Sequence, residues 1–277
     1  MNGIKGKVIV ITGGYGVLCG AMAKMLALAG AKVAVIGRRK KEAEAFAQSL
    51  QSLGGECMGF EANVLDKVSL ELVKAQILEV WGTCDILING AGGNHPDGIT
   101  AKPIMDVEDI HNSSIKTFFD LDPLGFQYVF ELNLLGTLIP TQVFAKEMVG
   151  KEGCSIVNIS SLAAFKPLTK VSAYSSAKAA ISNFTQWLAV HFSKTGIRVN
   201  AIAPGFFLAD QNRALLTNED GSLTERGQQI INQTPMRRFG EPNDLLSTIR
   251  WLLDEDSVFI TGVVVPIDGG FTAFAGV

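Results

Sequence analysis

Tyr174 and Lys178 stand four residues apart in the run Ala173-Tyr174-Ser175-Ser176-Ala177-Lys178. On a helix they share one face, so the ammonium can sit beside the phenol. A free tyrosine, with a pKa near ~10, exchanges protons poorly at neutral pH. A nearby positive charge favours the phenolate and lowers that pKa, which makes Tyr174 a usable general acid/base. Many solvated helices carry the same spacing, so the pair takes its meaning from its company. Ser161 lies upstream, closing the apolar run Ser155-Ile156-Val157-Asn158-Ile159-Ser160, and a glycine-rich turn occupies residues 12–20.

Such groups need a frame to hold them. Short apolar runs at 8–11, 32–36, 56–61, 86–89, 155–159, 198–202 and 263–267 read as strands, mostly continuous rather than alternating. That pattern suits strands buried on both faces of a parallel sheet. Amphipathic segments at 21–29, 40–53, 68–80, 127–148, 173–194 and 243–253 read as the intervening helices. The alternation predicts an α/β fold, a doubly wound Rossmann-type sheet of about seven parallel strands. No linker, repeat or composition shift divides residues 1–277, which read as a single domain. The segment 93–124, after the fourth strand, holds no convincing strand and reads as an insertion. Loops of that length are commonly lids or binding loops, the alternative being a surface excursion.

Composition narrows the partners. The chain has 277 residues, 47 % hydrophobic and 18 % charged, with a net charge of −3. Nothing in that balance favours nucleic acid or an anionic membrane. Cys19, Cys57, Cys84 and Cys154 lack metal-ligand spacing and read as buried free thiols of a reducing compartment. The start, Met1-Asn2-Gly3-Ile4-Lys5-Gly6-Lys7, has no apolar signal region, and no apolar run spans a bilayer. A cytoplasmic protein acting on a small molecule is expected, with no metal, nucleic acid or membrane partner.

The strand Val8-Ile9-Val10-Ile11 runs into Thr12-Gly13-Gly14-Tyr15-Gly16 and then a helix. Glycines let the backbone approach a pyrophosphate, whose charge meets the helix N-terminus. Against a Thr-Gly-x-x-x-Gly-x-Gly pattern, Val17 and Cys19 stand where glycines would, with Gly16 and Gly20 alongside. A locally altered turn is therefore expected, with Thr12, Gly13, Gly14, Tyr15, Gly16, Val17 and Leu18 at the dinucleotide. At the end of the second strand the chain reads Ile36-Gly37-Arg38-Arg39-Lys40. An acid there would hold the ribose 2′-hydroxyl of NAD. Gly37 removes that acid, and Arg38 can pair with a 2′-phosphate. NADP is expected as cofactor, with NAD possible; the competing reading of Arg38 is a solvated helix start.

Together these residues resemble the short-chain dehydrogenase/reductase family along essentially the entire chain. Asn89-Gly90-Ala91-Gly92 resembles its Asn-Asn-Ala-Gly segment, with Gly90 replacing the second Asn. Asn133, Ser161, Tyr174 and Lys178 fall where the catalytic tetrad falls. Pro204-Gly205, after Arg198-Val199-Asn200-Ala201, matches the nicotinamide-side turn, and Asp268-Gly269-Gly270 the C-terminal ending. Ala209 stands where a Thr is frequent. A narrower resemblance, to the short-chain-type D-mannonate oxidoreductases or fructuronate reductases, rests on Gly16-Val17-Leu18-Cys19, Gly92-Gly93-Asn94-His95-Pro96, Phe118-Phe119-Asp120-Leu121-Asp122 and Glu131-Leu132-Asn133-Leu134-Leu135-Gly136-Thr137.

The resemblance implies that Tyr174 gives the proton in ketone reduction and Ser161 polarises the carbonyl. Lys178 would tune Tyr174 and bind the nicotinamide ribose. Asn133 would hold a water linking Lys178 to solvent; a helix-bending amide is its alternative. Val64, Asn89, Gly90, Ala91, Pro204, Gly205 and Phe207 would wall the cofactor. Asn63 would face the adenine, unless it is only a strand-end turn residue. For a hexuronate such as D-fructuronate, Asn94, His95, Lys166 and Arg213, with Ser161, are the candidate substrate contacts; Arg237 and Arg238 read equally as surface charges. The family also implies a homotetramer. A dehydrogenase for another polyol, keto-gluconate or hydroxysteroid-like alcohol is the second reading. A nucleotide-sensing protein without chemistry is the third, and it would be expected to have lost Ser161, Tyr174 or Lys178.

Overall fold

Every residue of β1 (Val8–Thr12), β4 (Ile86–Asn89) and β5 (Cys154–Ile159) is buried, which is why these runs show no polar alternation. They form the centre of a seven-stranded sheet with β2 (Lys32–Gly37), β3 (Glu56–Glu61), β6 (Ile197–Pro204) and β7 (Val264–Ile267). The strand order is β3-β2-β1-β4-β5-β6-β7, and each pairing is parallel. The computed structural model describes residues 3–208 and 210–276, so Ala209 lies outside the described residues.

Alternate residues of each strand feed two cores. Ile9 and Ile11 pack with Met22 and Leu26 of α1 (Val17–Leu28), Ala43 and Ala47 of α2 (Lys40–Gln51), and Ile249 and Leu252 of α9 (Leu246–Leu253). Val8 and Val10 face the other way. They pack with Leu70 and Val73 of α3 (Lys67–Trp81), Phe144 of α5 (Gly136–Phe144) and Leu188 of α6 (Ser172–His191). Full burial of each Val, Leu, Ile, Met or Phe side chain among them contributes about 1.5–3 kcal/mol. The result is a Rossmann-like α/β fold with helices on both faces of one parallel sheet. The strand order reverses between β1 and β4, and the crevice beyond their carboxyl ends is where ligands bind in open sheets of this kind.

Several boundaries differ from the sequence reading. Helix α1 begins at Val17 rather than 21, because the apolar Val17, Leu18 and Cys19 enter the helix directly after Gly16. The continuous helix expected over 127–148 is divided into α4 (Pro123–Phe130), a π-helical turn (Glu131–Leu135), α5 and a terminal 3-10 turn. Two short helices after β6, α7 (Asp210–Leu216) and α8 (Glu225–Gln233), were not expected; α8 is polar and starts on a Thr224 cap. The insertion contains 3-10 turns at Pro96–Gly98, Val107–His111 and Phe118–Asp120. It is held by its own side chains, with Lys102 Nζ 2.6 Å from Asp109 Oδ1 and Asp120 capping Thr117. No helix among the described residues is long and apolar enough to cross a membrane.

Candidate active site

A cleft of about 920 Å³ runs along the carboxyl ends of the strands. One end is lined by Tyr15, Gly37, Arg38 and Arg39, and the middle by Gly13, Gly16, Val17 and Leu18 with Ala62 and Val64. The other end gathers Gly92, Gly93, Leu132, Ser161, Tyr174, Lys178, Pro204, Gly205, Phe206 and Phe207. Among the described residues no group of three or more His, Cys, Asp or Glu side chains is placed to hold a metal.

The middle of the cleft is built for an anion. Gly16 caps α1 without a side-chain acceptor, and no acid stands in the first turn. The first amides therefore present partial positive charge to the cleft, as a pyrophosphate requires. Thr12 and Gly14 form the layer behind. Thr12 Oγ1 accepts from the N–H groups of Gly90 at 3.1 Å and Ala91 at 3.3 Å, and Gly14 N–H donates to Ile36 O at 3.1 Å. The two departures from the family pattern meet in space. A Cβ on Gly90 would lie 2.1 Å from Cys19 Sγ, so the Cys19 thiol fills the volume that a side chain at 90 would need. Burial pushes that thiol up to about 12, which keeps it a neutral packing group.

At the adenosine end Tyr15 takes the space beside Gly37. Its hydroxyl accepts from the main-chain N–H and from Nε of Arg39, each at 3.4 Å, and the Arg39 guanidinium lies 5.5 Å from the ring centroid. Arg39, which the sequence reading passed over, is thus fixed at this corner beside the expected Arg38. Both are exposed at the mouth of the cleft. Asn63 is turned to local structure. Its Oδ1 accepts from Leu65 N–H at 3.1 Å, and its neighbours Ala62 and Val64 do the lining.

At the opposite end, β5 delivers Ser161 and α6 presents Tyr174 and Lys178. The Ser161 hydroxyl lies beside the Tyr174 phenol, close enough to favour its phenolate. Ser161 Oγ also accepts from Ala163 N–H at 3.2 Å, as the cap of the 3-10 turn Leu162–Ala164. Lys178 Nζ donates to the Ile159 carbonyl at 2.8 Å and lies 5.6 Å from the Tyr174 ring centroid. Here the electrostatics differ from the expectation. Burial raises the Tyr174 phenol above its ordinary value, with the Ser161 hydroxyl pulling it back in part. Burial likewise drives Lys178 down, to about 8. Desolvation is the largest influence on both groups.

Asn133 is fully buried in the π turn. Its Nδ2 donates to the carbonyls of Gly93 and Val129, each at 2.7 Å, and its Oδ1 accepts from Gly93 N–H at 3.3 Å. It therefore fastens the root of the insertion to the widened helix. A buried chain of bonds continues from it. Thr137 Oγ1 donates to Asn133 O, and Thr141 Oγ1 to Thr137 O. Asn89 Nδ2 donates to Thr141 Oγ1 and to Asn158 Oδ1, and Asn158 Nδ2 to Thr185 Oγ1 on α6. Asn89, expected at the cofactor, is instead a node inside the sheet.

Of the candidate substrate contacts, only Ser161 lines the cleft. Asn94 is exposed, with Oδ1 accepting from His95 N–H at 2.9 Å. His95 packs on Tyr128 at 5.0 Å between centroids and lies 3.5 Å from Asp97 Oδ2. Lys166 Nζ donates to the carbonyls of Phe271 and Phe274. Arg213 is exposed on α7. The cleft is also walled by residues without a site role in the sequence reading: Cys19, Gly93 and Leu132, which lie inside the quoted motifs, and Phe206, which follows Pro204-Gly205.

Comparison with known proteins agrees with this geometry. A family profile described as short chain dehydrogenase matches residues 7–220. An uncharacterised oxidoreductase of Bacillus subtilis, UxuB, is 52 % identical over 276 residues, covering 99 % of this chain and 98 % of that one. A 2-dehydro-3-deoxy-D-gluconate 5-dehydrogenase of Formosa agariphila is 30 % identical over 274 residues, covering 99 % and 95 %. A crystal structure from Haemophilus influenzae, provisionally assigned as a D-mannonate oxidoreductase and holding bound NAD, superposes with a TM-score of 0.94 at 51 % identity, covering 99 % and 97 %.

Proposed function

The chain belongs to the short-chain dehydrogenase family, and on that premise we propose that this oxidoreductase interconverts a keto sugar acid and its alcohol with NADP(H), D-fructuronate and D-mannonate being the pair. One observation carries the reading: Ser161, Tyr174 and Lys178 share one end of a cleft whose middle is the uncapped N-terminus of α1. That arrangement fits a dinucleotide laid lengthwise, its pyrophosphate against α1 and its reactive end beside Tyr174. The Haemophilus relative's provisional assignment and the sugar-acid relative in Formosa support the substrate class.

When bound, the nicotinamide supplies the hydride for the carbonyl carbon, or receives it in the reverse direction. Ser161 Oγ hydrogen-bonds the carbonyl oxygen and stabilises charge developing there. The Tyr174 phenol, held protonated by burial, gives its proton to that oxygen. Lys178 binds the nicotinamide ribose and, as an ammonium beside the phenol, favours the phenolate that remains. Asn133, its amide committed to Gly93 and Val129, holds the root of the insertion beside Lys178. Arg38 and Arg39 take the 2′-phosphate by charge-assisted bonds. Arg213 on α7 is the candidate partner of the substrate carboxylate. The protein works in the cytoplasm as a homotetramer.

NAD has an observation of its own in its favour, the NAD bound to the 51 % identical relative. Steady-state assays of D-fructuronate, D-tagaturonate and 5-keto-D-gluconate, each with NADPH and NADH, decide both points. The reading predicts the highest kcat/KM for fructuronate with NADPH. Turnover only of the 5-keto acid would replace the substrate assignment, and equal or better use of NADH would replace the cofactor assignment.

A further inference from the structure

We propose that Lys166 is a positioning residue, a clasp that holds the segment after β7 against the substrate end of the cleft and thereby sets how tightly substrate binds. The proposal rests on reading this cleft as the oxidoreductase site. Lys166 follows the 3-10 turn that Ser161 caps, and its own N–H donates to Leu162 O at 3.0 Å. Its ammonium reaches the main-chain carbonyls of Phe271 at 3.3 Å and Phe274 at 2.5 Å. One side chain therefore ties the loop carrying Ser161 to residues more than a hundred positions later.

That segment is shaped to be held. The Asp268 carboxylate accepts from Gly270 N–H at 2.9 Å and Thr272 N–H at 2.8 Å, folding the chain back after β7. A Cβ on Gly205 would lie 2.6 Å from Asp268 Cα, so the Pro204-Gly205 turn and the segment are in direct backbone contact. Phe271 then meets Phe206 edge to face, with centroids 5.3 Å apart. Phe206 lines the same cleft as Ser161 and Tyr174. The order of contact is Lys166, the Phe271 carbonyl, the Phe271 ring, the Phe206 ring, then the cleft.

No regular secondary structure follows β7 in the described segment 268–276, so the ammonium replaces strand or helix pairing for two carbonyls. Two of its three donors are committed there. Loss of the clasp frees Phe271 to leave Phe206, and the aromatic wall at the substrate end loosens while the distant adenosine end is untouched.

The test compares wild type with Lys166→Met, which keeps most of the stem and loses the ammonium, Lys166→Arg, which keeps charge and donors, and Phe271→Ala. Amide hydrogen exchange is followed at residues 270–274 in the cofactor-free proteins. The clasp predicts exchange about tenfold faster in Lys166→Met and near wild-type exchange in Lys166→Arg. In steady state, Lys166→Met and Phe271→Ala should each raise KM for the carbonyl substrate about tenfold, with KM for the nicotinamide cofactor within about twofold. The rise should be equal for a keto sugar acid and for a ketose without a carboxylate. Unchanged exchange in Lys166→Met overturns the proposal. So does a KM rise confined to the acid, which would make Lys166 a direct carboxylate ligand. Should wild type turn over neither substrate, the assigned function fails while the exchange result still decides the clasp.

Discussion

A Cβ on Gly37 would stand 2.0 Å from Cε1 of Tyr15. The end of β2 and the glycine turn close on each other because residue 37 has no side chain. Gly37 therefore has a steric reason to be glycine, separate from the absence of an acid that would favour NAD. Tyr15 in turn supports Arg39, so three residues from two loops form the adenosine corner as one unit.

Gly37→Ala should displace the Tyr15 ring and weaken both dinucleotides together, by about tenfold in Kd on fluorescence titration, a loss of about 1.4 kcal/mol. The double variant Gly37→Ala with Tyr15→Ala should recover part of that loss. A change confined to NADPH would show that position 37 acts through charge and not through packing.

Arg38→Asp should swing preference from NADPH toward NADH. A charge-assisted bond is worth roughly 1.5–3 kcal/mol, and the new acid also repels the phosphate. Arg39→Ala should lower NADPH affinity further than its charge alone predicts, since it also removes support from Tyr15. Steady-state ratios of kcat/KM for the two cofactors give the measurement; an unchanged ratio in Arg38→Asp leaves that side chain in solvent.

Tyr174→Phe should reduce kcat to below about a hundredth while leaving cofactor Kd within a few-fold, because only the proton-donating hydroxyl is removed and the ring stays. Retention of more than about a tenth of kcat would remove Tyr174 from the acid/base role.

Lys178 gives a pH prediction whose sign follows from burial. Its pKa in the fold is about 8, below the ~10.4 of an unfolded lysine. Between these values the unfolded chain binds the proton and the fold does not, so this group makes stability rise with pH across that window. Below it, the buried charge costs the cofactor-free fold on the order of 3 kcal/mol. Lys178→Met should therefore raise the Tm of the cofactor-free protein at pH 7 and flatten its rise from pH 8 to 10, while abolishing turnover. Carbonyl reduction by the wild type should fall as pH passes about 8, where the ammonium is lost. A lower Tm in the Met variant at pH 7 would contradict the burial argument.

Gly90→Asn, which restores the common residue, should destabilise the protein or abolish cofactor binding, because its Cβ meets both Cys19 Sγ and, at 2.8 Å, Thr12 O. Cys19→Gly in the same chain should recover binding in part, the Thr12 carbonyl remaining close. Thermal melts and NADPH titration of the three variants give the coupling directly. Additive effects would mean that the two departures are unrelated.

The sequence by itself determined the sheet and the chemistry. Short continuous β-branched runs alternating with amphipathic helical segments suit interior parallel strands, so β1, β4 and β5 were legible in the chain itself. The i, i+4 spacing of Tyr174 and Lys178 required only that one helix form, and α6 does. Local order, fixed by periodicity and turn residues, reads directly from the chain.

What tertiary structure alone decided are the relations between residues far apart in sequence. The pairing of Gly90 with Cys19, the Gly37–Tyr15 fit and the Lys166 clasp each join different loops, and no local pattern encodes the distance between them. The same holds for electrostatics. Spacing placed an ammonium near a phenol, but how much water surrounds them depends on the whole fold, and burial raised Tyr174 and lowered Lys178. The Asn89 amide nitrogen, Asn94, His95 and Lys166 show the other side of this. Their polar groups suit a ligand by type, yet the folded chain supplies partners within reach, and a polar group satisfied inside the protein is no longer offered to the cleft.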